Sequence, residues 1–185
     1  MSNYLQLLVI FFAAINPAAV AIAGEGLRGR TSRPLLLAGV GLTLAAALYL
    51  FAAAIADNLL DFLDVAPETF RIAAGIVMAT AGVYALWRAR VAVADAEDGW
   101  QAAVFPLAIP LLAGPAGLIA ALSYGADEGV WMAFGAAIVP LAVAGLLAVT
   151  PLRRGAVAAD AIARLLGALL VIVAAGLIVE GVRDI

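Results

Sequence analysis

The chain has 185 residues, of which 66% are hydrophobic and 12% charged, far more apolar than the roughly 45–50% of a soluble domain. It contains no cysteine and no histidine, which excludes disulfides and thiolate metal sites and removes the commonest general base and metal ligand. Every basic residue is arginine and the net charge is −3, so the chain lacks the basic footprint of a nucleic-acid binder.

The first apolar stretch, Tyr4 to Gly24, carries no charge and is long enough to cross a hydrocarbon core of roughly 30 Å. Ala21-Ile22-Ala23 looks like a leader-peptide cleavage site, but no basic residue precedes the stretch and Asn16-Pro17 interrupts it, so it reads as a span. Proline removes a backbone donor and clashes with the preceding turn. Asn16 adds an amide about 18 Å down the helix, past the middle of the core. Such a defect is tolerated only where it faces protein or a water-filled cavity.

A second span is expected over about 35–56, followed by a short helix lying in the interface over Asp57 to Glu68, where acids alternate with Leu59, Leu60, Phe62 and Leu63. The acids Asp57, Asp61 and Asp64 read as a polar face, not a metal site. Pro67 and Glu68 suit the first turn of a third span, which ends near the interfacial anchor Trp87. A polar connection over 88–99 leads to a fourth span, about 100–124, whose Pro106, Pro110 and Pro115 argue against a straight helix. Spans five and six are expected over about 130–150 and 161–182. Thr43, Tyr49, Thr80 and Tyr84 read as packing or interface residues. The Gly and Ala content of spans two, three and six reads as close helix packing.

Arginine clusters follow spans one (Arg28, Arg30, Arg33), three (Arg88, Arg90) and five (Arg153, Arg154), whereas the connections after spans two and four carry acids. The positive-inside rule then places the arginine loops in the cytoplasm and both termini outside, in a multi-pass inner (plasma) membrane protein. Arg71 and Arg183 fall on the opposite side, at span ends from which they can snorkel.

The fourth span repeats the defect of the first: Ala113-Gly114-Pro115-Ala116 matches Ile15-Asn16-Pro17-Ala18, and Arg71 to Gly75 has an echo in Arg164 to Gly167. Three spans per half make the second half enter from the opposite side. The expected fold is therefore all-α: six transmembrane helices in two inverted-topology three-helix repeats, residues 1–90 and 100–185, joined by a cytoplasmic linker over 91–99, with helices 1 and 4 broken near the midplane. Half-helices starting at Pro17 and Pro115 would aim unpaired N–H groups at a carboxylate, and the ends before the breaks would offer carbonyls to an ammonium group or a cation. The candidate substrate site is Asn16, Pro17, Ala18, Ala113, Gly114, Pro115, Ala116 and Gly117. Asn16 has a second reading, as a hydrogen-bonding tie between helices. An intramembrane enzyme would need a nucleophile and base or metal ligands, and only Ser123, near a span end, offers itself. The chain reads as a non-enzyme without a cofactor.

Asn16-Pro17, FRIAAGIVM at Phe70–Met78, FPLAIPLLAGPAG at Phe105–Gly117 and RLLGALL at Arg164–Leu170 resemble the MarC family of integral membrane proteins. The resemblance covers all six spans. It implies a transporter of small neutral amino acids such as glycine and alanine, coupled to a proton or cation, with discontinuous spans at Asn16-Pro17 and Gly114-Pro115. Its partners would be that small-molecule substrate, the coupling ion and the bilayer. The chain departs from the family pattern at Ala19 and Ile22 in span one, and at Ala120 and Ala121 in span four. A channel or a non-transporting membrane scaffold is the alternative reading.

Overall fold

A computed structural model describes residues 4–28, 33–87, 101–151 and 155–185, and among them there is helix and no strand. The elements are α1 (Tyr4–Ile15), α2 (Pro17–Arg28), α3 (Pro34–Leu63), α4 (Pro67–Trp87), a proline-rich segment (Ala103–Leu112), α5 (Pro115–Glu128), α6 (Val130–Val149) and α7 (Ala156–Asp184). Among the described residues, five helical stretches are long and apolar enough to cross a membrane: Tyr4–Gly26, α3, α4, α6 and α7. The proline segment and α5, bent by 61° at the break between them, count as a sixth if the pair is taken as one span.

The interruption in the first span is mild. Only Asn16 leaves helical geometry, with φ of 50°. Hydrogen bonding continues through it, from Asn16 N–H to the Phe12 carbonyl and from Val20 N–H to the Asn16 carbonyl, both 3.1 Å. The fourth span is distorted more deeply. Phe105 (φ −131°, ψ 120°) and Ile109 (φ −127°, ψ 121°) are extended, as the residue before a proline prefers. Gly114 (ψ 161°) is extended as well, and α5 restarts at Pro115.

The expected interfacial helix does not form. With no breaker between Ala56 and Leu63, α3 runs on for 30 residues, about 45 Å and longer than the hydrocarbon core. It stops where Asp64 turns left-handed at φ 52°: Asp64 N–H donates to the Asp61 carbonyl and Val65 N–H to that of Leu60, a Schellman ending. Arg30, Arg88, Arg90, Arg153 and Arg154, which carry the orientation argument, and the 91–99 linker lie outside the described residues.

Small residues let the helices approach closely. In the antiparallel α4–α7 pair, a Cβ on Gly75 would meet the Ala174 carbonyl at 2.8 Å, one on Gly82 the Gly167 carbonyl at 2.8 Å, and one on Gly181 the Glu68 carbonyl at 2.7 Å. Several of the remaining contacts fall into exchanged sets. α1 and α2 pack on α6 as the proline segment and α5 pack on α3; α2 touches α7 as α5 touches α4; and α1 meets α5 at the centre.

Candidate functional site

A cavity of about 420 Å³ lies where the two interruptions converge. Its walls are Ala13 to Asn16, Ala19 and Val20 from the first span, Pro110, Leu111 and Gly114 to Ala116 from the fourth, the second half of α4, and Leu170 of α7. Among the described residues, no charged side chain lines it.

The two helix starts at this cavity differ in one decisive respect. At the first, Asn16 stands as an N-cap with proline in the next position. Its Oδ1 accepts a hydrogen bond from Ala19 N–H at 3.1 Å, which satisfies one of the donors a helix start leaves unpaired. Its Nδ2 donates to the Ala163 carbonyl of α7 at 2.9 Å. Asparagine also tolerates left-handed geometry better than other bulky residues. Asn16 therefore lines the cavity while both ends of its carboxamide already hold protein partners, and one amide N–H remains uncommitted.

At the second start, glycine replaces the cap. Gly114 has no side chain to donate or accept, and the first intrahelical bond of α5 runs from Leu118 N–H to the Gly114 carbonyl at 3.0 Å. Pro115 lacks an N–H, so Ala116 and Gly117 carry the unpaired donors of this terminus. With the helix dipole they make an opening suited to a carboxylate.

The other expected site residues are dispersed. Pro17 and Ala18 line a separate apolar groove of about 480 Å³ with residues of α6 and α7. Ala113 is buried and its N–H donates to the Ala108 carbonyl at 2.8 Å. Gly117 faces Tyr49: a Cβ there would collide with the Tyr49 hydroxyl. That hydroxyl donates to the Leu112 carbonyl at 3.3 Å, so one buried tyrosine touches both sides of the bend. Thr80 and Tyr84, expected as packing or interface residues, line the cavity with Val77, Ala81 and Ala85. Their spacing of four along α4 is the signal that places them on one face. The Thr80 hydroxyl donates to the Val77 carbonyl at 2.8 Å.

Among the described residues, Ser123 Oγ is buried without a hydrogen-bond partner. An unsatisfied buried hydroxyl is unfavourable by about 1–3 kcal/mol, so Ser123→Ala is expected to leave thermal stability unchanged or raise it slightly in detergent melts. A clear fall would mean the hydroxyl has a partner that a buried water or ligand supplies.

No curated protein and no solved structure matches the chain. Among known protein families, residues 1–185 match the MarC family integral membrane proteins. The match spans both interruptions, the bent proline segment and all the apolar helices, and it makes this multi-pass chain a member of the MarC family.

Proposed function

We propose that the protein is a secondary transporter of small neutral amino acids, of the glycine and alanine class, coupled to a proton or cation. The observation that carries this reading is the uncapped start of α5 at a cavity without charged side chains. A carboxylate there would be met by the N–H of Ala116, which lines the cavity, and by the positive end of the helix dipole. Asn16 contributes its remaining amide N–H, and the chain before the break, where Pro110 and Leu111 line the cavity, would offer backbone carbonyls to the ammonium group. A zwitterion is then bound without a charged partner, and the small lining residues favour a short side chain.

Two inverted three-helix halves, with discontinuous first and fourth spans, are the architecture of this proposal. The exchanged packing of α1 and α2 on α6 and of the proline segment and α5 on α3, and of α2 on α7 and α5 on α4, supports it. The orientation in the inner membrane, with both termini outside, rests on the arginine clusters.

The test is uptake of radiolabelled glycine and alanine into proteoliposomes, saturable and competed by unlabelled substrate. Pro115→Leu supplies the missing N–H and removes the ring that clashes with the preceding turn. It is expected to straighten the fourth span and abolish most of the uptake while leaving membrane insertion intact. Wild-type uptake by this variant would reduce Pro115 to a packing kink.

A further inference from the structure

At the end of the molecule away from the α4 half that lines the central cavity, the first turn of α4 meets the last turns of α5 and α7. Arg71 makes a two-pronged ion pair with Asp127, from Nε to Oδ2 at 3.0 Å and from Nη2 to Oδ1 at 2.8 Å. Its third nitrogen, Nη1, reaches Oδ2 of Asp184 at 2.7 Å. The sequence alone left this arginine as a snorkelling side chain; instead it ties the first half of the chain to two helices of the second. The Arg71 and Asp127 side chains are only 21% and 15% exposed, so the pair is partly shielded from water and salt. A planar guanidinium with paired bonds is more directional than a surface lysine pair.

Beneath this tie lies a polar cavity of about 440 Å³ lined by Gln6, Arg71, Tyr124, Asp127, Glu180 and Asp184, among others. It adjoins a more apolar one that reaches Ile10 and shares Gln6, Tyr124 and Glu180. Behind Tyr124, which lines both cavities, stands an edge-to-face column: Tyr124 on Phe11 at 6.4 Å, then Phe11 on Tyr49 at 6.1 Å. Tyr49 is the residue that touches both sides of the Gly114-Pro115 bend. One short helix, α5, thus carries Asp127 and Tyr124 near its end and the unpaired N–H groups of the central cavity at its start. At 14 residues it is about 21 Å long.

We propose that Arg71, through Asp127 and Asp184, is a latch that holds this end of the molecule shut while the central cavity communicates with the opposite end. Releasing the latch frees α5 and α7 to move against α4. The cavities beneath it then become the access route, and the opposite end closes by rigid-body rocking of the two halves. The latch deepens the transport reading and rests on it for its purpose, but its opening is measurable without any substrate.

The cysteine-free chain suits a thiol-accessibility test in reconstituted full-length protein. One probe is Ile10→Cys, beneath the latch; the other is Thr80→Cys, in the central cavity. Each is labelled with a membrane-impermeant thiol reagent, alone and combined with Arg71→Gln. The latch predicts several-fold faster labelling at the first probe and slower labelling at the second when Arg71 is replaced. Arg71→Lys is expected to restore the parent rates only in part, because it cannot make the paired bonds. Should Arg71→Gln fail to fold, Asp184→Asn removes the more exposed arm and is expected to shift both probes in the same opposed directions, by less. Parallel changes at the two probes mean general loosening and overturn the proposal, as do unchanged rates. Opposed changes in a protein that no amino acid stabilises would uphold the latch and reject the substrate.

Discussion

Asn16→Leu is expected to destabilise the protein by about 3 kcal/mol, measured by thermal unfolding in detergent. Three losses add. Leucine in left-handed geometry is unfavourable by about 1–2 kcal/mol, loss of the cap on Ala19 N–H by about 1 kcal/mol, and loss of the buried bond to the Ala163 carbonyl by about 1 kcal/mol. Substitutions that separate these terms should rank accordingly. Asn16→Gly keeps the backbone geometry at low cost and should lose about 1 kcal/mol, mostly the α7 bond. Asn16→Asp keeps the cap but turns a carboxylate oxygen toward the Ala163 carbonyl, so it should fall between the two and recover as the acid is protonated. Equal effects for Gly and Leu would show that the left-handed residue carries no strain and that the hydrogen bonds alone matter.

Gly117→Ala should have a comparable effect through overpacking. The new Cβ would collide with the Tyr49 hydroxyl and lie 2.8 Å from the ring carbon that bears it. Tyr49 has little room to yield, being fully buried, edge-on to Phe11 and bonded to Leu112. A loss of about 1–3 kcal/mol is expected. Tyr49→Phe alone should cost about 1 kcal/mol, because the Leu112 carbonyl loses its donor. Combined with Gly117→Ala it should rescue part of the loss, because the most severe clash is with the hydroxyl. A double-mutant cycle with zero coupling would mean that the two residues do not meet across the bend.

The defects themselves were legible one residue at a time. Proline inside a helix removes a backbone donor and clashes with the preceding turn, so Asn16-Pro17 and Gly114-Pro115 marked the interruptions without knowledge of any neighbour, although Pro140 stays within α6. Their unequal severity was not legible. Asn16 heals the first by capping Ala19 and reaching Ala163, 147 positions away in the chain, and Gly114 has no side chain with which to do the same. Pairings across helices escaped for the same reason. Arg71 looked like an isolated charge at a span end because its partners, Asp127 and Asp184, come from two distant helices. Tyr49 looked like packing because its role depends on where the bend of another span falls. Local signals misled once: the acids after Ala56 suggested a separate interfacial helix, yet nothing there breaks α3 before the left-handed Asp64.

The carboxylate-binding role of the α5 start is tested most directly by thermal stabilisation of the purified protein with matched ligands. Bound ligand raises stability by RT ln(1 + [L]/Kd). Glycine and alanine are expected to raise the unfolding temperature in a saturable manner. Glycinamide, which keeps the amine and the size but lacks the carboxylate, is expected to raise it little or not at all. Stabilisation by glycinamide equal to that by glycine, or no stabilisation by either amino acid, would contradict the account.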